Sequence, residues 1–167
     1  DFDRVSNEIL RFAGELTYSP TTIIHWGMVR PEAFKPLASR GIKVLSGYFR
    51  QMGGRWDVNY RLSDEISEYL SKHDAWVDYD SGITFSKIDI VCNTVPREEI
   101  PAVLQSAESD PNQAEVMDLM THEQYFWPFY TRYIPDHFQR LETAISWVSE
   151  RGYRPVFLHE GFLGAPE

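Results

Sequence analysis

Cysteine is almost missing from this chain. Cys92 is the only one in 167 residues, so no internal disulfide can staple the fold, and a reducing compartment, the cytoplasm, is the simplest expectation. Basic residues are also scarce: 16 Lys and Arg stand against 25 Asp and Glu, a formal charge of −9. No basic stripe is visible, which argues against nucleic acid as a partner, because such binding rests on clustered cations that release counterions. No run approaches the roughly 18 apolar residues needed to span a bilayer, and no basic-then-apolar leader precedes a small-residue cleavage site. The sequence therefore reads as soluble, without a membrane partner. Repeats, low-complexity tracts and linkers are missing too, leaving residues 1–167 as a single α/β domain large enough for a real core. The chain opens on Asp1 rather than methionine, so a processed protein or a piece of a longer one is expected.

What is present is an alternation of helical and extended patterns. "DRVSNEILRFAGEL" sets Val5, Ile9, Phe12 and Leu16 on one helical face, and "TTIIHWG" follows as a short β-branched strand. "RPEAFKPLASRG" reads as a helix started by Pro31, bent or shortened by Pro36 and capped at Gly41, and "IKVLSGYF" as the next strand. Strand, helix, strand at this spacing is a parallel crossover unit. "RQMGGRWDVNYRL" carries a Gly-Gly turn, and "SDEISEYLSKH" is a helix opened by Ser63 with acidic first turns. "AWVDYDSGITFSKIDIVCN" is read as two strands about an Asp-Ser-Gly turn, with Cys92 a buried strand residue and a nucleophile only as the lesser alternative. The helix "REEIPAVLQSAES" and the strand "AEVMDLMTH" follow. A helix over "PDHFQRLETAISWVSERGY" should bury Phe138, Leu141, Ile145 and Val148 and end at Gly152, and "RPVFLHEGF" should be a closing strand.

On that skeleton the reactive side chains fall near strand ends. His25 ends "TTIIH", Asp89 lies in "KIDIV", His122 ends "MDLMTH", and His159 with Glu160 ends "PVFLHE". The carboxyl ends of parallel strands share one rim, where binding sites form. Imidazole nitrogens and carboxylate oxygens gathered there suit a divalent ion such as zinc, which lowers the pKa of bound water, and histidine is the usual proton carrier near neutrality. "HEQYF" is not a helical zinc pair, since Phe126 stands four positions after His122. His73 and His137, in helical surroundings, read as packed or surface residues bonded to backbone. After His122 and Glu123 come five aromatic residues in six positions, Tyr125 to Tyr130. They either wall a sugar cleft, with Tyr125 and Trp127 the ligand contacts, or fasten a long loop to the body of the protein.

"NEILRFAGELTYSPTTIIHWG", "ASRGIKVLSGYF", "DYDSGITFSKIDIVCN", "MDLMTHEQYF" and "ERGYRPVFLHEGF", taken in order, resemble the later part of polysaccharide deacetylase-like (NodB-type) proteins, in a branch carrying "HEQYF". The resemblance implies a deformed (β/α) barrel, here incomplete, and metal-assisted removal of an acetyl group from an N-acetylated sugar. "DLMTH" is similar to the family's late strand through Leu119 and His122, which makes His122 the acid for the departing amine. It implies supporting roles for the other residues: His25 as a metal ligand or orienting group, Glu160 as an orienting group, Asp89 as a tuner of a neighbour's pKa, and Trp26, Tyr125, Trp127 and Glu123 as sugar contacts. The family's early aspartate and paired-histidine elements have no counterpart here, and His25 stands where the family carries an arginine-and-proline strand. A chain lacking the first two strands leaves sheet edges open and is expected to pair with another copy or with the missing segment. The alternative is a carbohydrate-binding domain of the same type without catalysis.

Overall fold

The computed structural model describes residues 2–15 and 18–164. Helix α1 spans Phe2–Ala13, as the spacing of its apolar residues predicts, yet it buries none of them. Val5, Ile9 and Phe12 face solvent, and only Phe2 packs against the core. Leu16, the fourth member of the predicted face, lies outside the described residues. Asp3 pairs with Arg40, which ties α1 to the segment after helix α2 (Phe34–Ala38).

The predicted crossover is present: strand β1 (Thr21–Thr22), α2 and strand β2 (Val44–Gly47), with β1 and β2 parallel and Thr22 opposite Leu45. Pro36 does not break α2, because it is the helix's third residue, where no intrahelical donor is required. Gly53 and Gly54, at φ 58° and 77°, turn strand β3 (Arg50–Met52) into strand β4 (Arg55–Asp57). The Ser63 hydroxyl accepts from the Ile66 amide at 3.3 Å and starts helix α3 (Asp64–Leu70). Strand β5 (Ala75–Asp78) then pairs antiparallel with β6 (Ile83–Lys87).

The main sheet has the order β1-β2-β6-β5, with β6 parallel to β2. Beyond Lys87 the same chain continues as β7 (Ile90–Val91), which pairs parallel with β8 (Leu119–Met120). The result is a mixed α/β fold with parallel and antiparallel pairs and no closed barrel; β1 and β8 each have one neighbour among the described residues. One core gathers Leu45, Phe85, Phe34, Leu70 and Tyr60, and a second gathers Ile90 and Cys92 under helices α4 (Ile100–Glu108) and α5 (His137–Glu150). Cys92 is buried, as expected, but in the turn just after β7 rather than in a strand.

Two sequence expectations are corrected. Helix α5 buries His137, Ala144 and Trp147 and packs Leu141 and Val148 against the second core, as expected of those two, while Phe138 and Ile145 are 65% and 50% exposed. The helix is rotated about one position because the large indole of Trp147, covered by the Arg151 guanidinium at 3.6 Å, and the bonded imidazole of His137 outweigh the smaller aliphatic stripe. The expected closing strand is instead helix α6 (Leu158–Leu163). Pro155 has no amide to give a sheet ladder, and the Glu160 carboxylate accepts from the Phe157 amide at 2.9 Å, which stabilises a helix start.

Candidate functional site

β1, β2 and β6 are parallel, as are β7 and β8 in their own pair, and the turns that follow β1, β2, β7 and β8 come together: Trp26, Tyr48 and Thr94 line one cleft, and His122 bonds Asn93. The turns are His25–Gly27 after β1, Tyr48–Phe49 after β2, Cys92–Thr94 after β7 and Thr121–Phe126 after β8. The segment Val58–Arg61 is pressed onto the first two. A Cβ on Gly27 would lie 2.9 Å from the Tyr60 amide nitrogen, and one on Gly47 only 2.5 Å from the Val58 carbonyl oxygen. Buried Tyr60 links the layers: its hydroxyl donates to the Ser46 carbonyl and accepts from the Ile24 amide at 3.3 Å. Burial raises the Tyr60 pKa well above that of an ordinary phenol, so it stays protonated. Trp26, Phe49, Val58, Tyr60 and Arg61 all have positive φ, between 44° and 57°. Left-handed backbone is uncommon outside glycine and a true outlier for β-branched Val58. Such strain, on the order of 1–3 kcal/mol per residue, concentrates at ligand sites.

A cleft of about 660 Å³ opens beside these turns. Trp26, 64% exposed, stands on one side. Arg50, Met52, Arg55, Trp56 and Asp57 of the β3–β4 hairpin form another wall, and Thr94, Pro96 and Glu99 a third.

His122 follows β8 on the last of these turns. Its Nδ1–H donates to Oδ1 of Asn93, which is buried, at 2.8 Å. That bond fixes the tautomer, and Nε2 has no hydrogen-bond partner among the described residues. Beneath it, buried His137 directs Nε2 at the Thr121 hydroxyl (2.9 Å) and the His122 carbonyl (3.3 Å). Burial lowers the His137 pKa, so this ring is a neutral prop. Of the aromatic run, Phe126 packs on His137 with ring centroids 4.2 Å apart, and Tyr125 makes edge contacts with His122, Tyr130 and His137. Trp127 and Phe129 are exposed.

Where β6 passes into β7, three aspartates surround one lysine. Asp89, whose side chain is 1% exposed, pairs with Lys87 at 2.8 Å and accepts from the Asp118 amide at 2.8 Å. Asp118 accepts from the Ser46 hydroxyl at 2.8 Å, and Asp74 accepts from the Glu115 and Val116 amides. Lys87 also donates to Gln113. Burial, helped by the charge of Asp89, pushes both Asp74 and Asp118 up to about 6. Asp89 is itself raised, through burial that outweighs Lys87. Lys87 and Asp89 border a second cleft of about 400 Å³, which shares Tyr48, Arg50 and Trp56 with the first.

No family model, curated protein or solved structure matches the chain. His25, Trp26 and His122 lie on the turns that come together. Asp89 lies deeper, in the lysine cluster. Glu123 is exposed at the start of the turn after His122, and none of His25, His122, Tyr125 and Trp127 lines the Trp26 cleft itself; His122 reaches its border through Asn93, the neighbour of the lining residue Thr94. Glu160 sits apart, on α6, facing a separate cleft of about 650 Å³ against Val116 and Ile145. His73 and His137 both bond backbone carbonyls, His73 through Tyr69 at 2.8 Å. No three His, Cys, Asp or Glu side chains converge as a metal ion requires among the described residues. An ion at His25 would take its other donors from outside them. Sequence reading missed Asn93, Lys87, Asp74, Asp118 and the hairpin arginines; the one available signal was that Asn93, like His122, stands two residues past the end of a strand.

Proposed function

We propose that the chain is the later part of a deformed (β/α) barrel of the polysaccharide deacetylase type, acting on N-acetylated sugars. The arrangement of parallel strands with their following turns brought together, and single-neighboured β1 and β8, is what such a part would present. The observation that carries the chemical reading is the bond from His122 to buried Asn93. Amide cleavage ends when the amine departs, and it departs readily only if protonated. Held through Nδ1–H, the ring in its imidazolium form points Nε2–H in a fixed direction and gives that proton to the amine nitrogen, ending as the neutral Nδ1–H imidazole. Within this reading His122 delivers the proton and the cleft binds the sugar. Trp26 and Trp56 offer flat rings for the apolar face of a sugar.

A second reading, a sugar-binding domain without catalysis, is favoured by the same cleft, whose exposed indole and polar walls suit a sugar without any catalytic step. Acetate release from N-acetylated oligosaccharides by the full-length protein separates the two. The hydrolase reading expects His122→Ala to lower turnover by about 10²–10⁴-fold with binding retained, and Trp26→Ala to weaken binding. Glycan binding without acetate release, unchanged by His122→Ala, would leave only the binding domain.

A further inference from the structure

The β3–β4 hairpin pairs Arg50 with Asp57 and Met52 with Arg55, and partners across an antiparallel ladder project to the same face. All four side chains line the Trp26 cleft. Neither guanidinium is neutralised. Arg50 donates only to the Tyr48 hydroxyl, at 3.3 Å, and Arg55 forms no hydrogen bond or ion pair among the described residues. Asp57 and Glu99 line the same cleft, but neither forms an ion pair with Arg50 or Arg55 among the described residues. Opposite stands Trp26, an exposed indole held on left-handed backbone at φ 55°. A left-handed non-glycine backbone is strained and such strain clusters at ligand sites, and an exposed indole carried on it offers a ligand a flat apolar face.

Resting on the sugar-binding reading of this cleft, we propose that its ligand is an anionic saccharide, one whose ring bears a carboxylate as a uronic acid does. A guanidinium presents a planar fork that matches a carboxylate in two parallel hydrogen bonds. The sugar ring stacks on Trp26, its carboxylate meets Arg50 and Arg55, and its hydroxyls donate to Asp57 and Glu99.

Titration calorimetry with oligouronates and with neutral N-acetylated oligosaccharides of equal length tests this in the full-length protein. The uronate should bind about tenfold or more tightly than the neutral sugar, the size of one charge-assisted contact. The advantage should vanish in the Arg50→Gln/Arg55→Gln double variant, and in the wild type it should shrink when salt rises from about 50 to about 500 mM, a change that leaves the neutral-sugar affinity constant. Equal affinity for both sugars in the wild type, or an advantage that survives the double substitution, overturns the anionic ligand and leaves the sugar cleft standing. Binding of neither sugar overturns both.

Discussion

Lys87 is the residue on which the interior polar cluster depends. It faces Asp89 in a site with almost no solvent, and removing one partner of such a pair leaves the other charge uncompensated. Lys87→Met should therefore cost about 3–5 kcal/mol, read from the denaturant midpoint. Asp118 provides the pH prediction. Its folded pKa is about 6 against an ordinary 3.8, so between those values the folded state holds a proton that the unfolded state releases. Stability from this group is highest at and below the unfolded value and is lost as pH rises through about 6. Wild type should gain stability relative to Asp118→Asn as pH falls from about 7.5 to about 4.5. The comparison with the variant is needed because buried His137 works in the opposite sense: its pKa is lowered by folding, so the unfolded chain binds that proton first. At the His122 site, Asn93→Ala should cut turnover about ten- to hundredfold, as loss of a partner that orients a working imidazole does, with sugar affinity kept. Asn93 lies 29 residues from His122 in sequence, and no local pattern could have joined them.

At the level of elements, legibility followed where the determinants lie. The Ser63 cap, the Gly53–Gly54 turn and the crossover from β1 to β2 are set by neighbouring residues and were readable. The rotation of α5 and the helical form of α6 were not, since they depend on what Trp147, His137 and Glu160 meet in space. Amphipathic spacing also overstated α1, whose stripe is apolar but uncovered. Ile9→Ala should therefore change stability by less than about 0.5–1 kcal/mol. Leu104→Ala, deep between α4 and α5, should cost about 2–5 kcal/mol. Gly47→Ala belongs with the second kind: its methyl group would press on the Val58 carbonyl and the Phe49 ring, a loss of about 1–3 kcal/mol. Chemical denaturation of the three variants ranks them.

Over the whole molecule, two cores are joined by one chain, Ile83–Val91, that leaves the main sheet to pair with β8. The polar cluster sits at that handover, and with it the protein has a seam that titrates. Among the described residues no helix is long and apolar enough to cross a membrane. Cys92 belongs to the second core, where burial raises its thiol to about 11. With no other sulfhydryl in the chain, it acts as a built-in clock. A chromogenic thiol reagent has one target, sealed under α4 and α5, and the rate at which colour develops reports how often that half of the protein breathes.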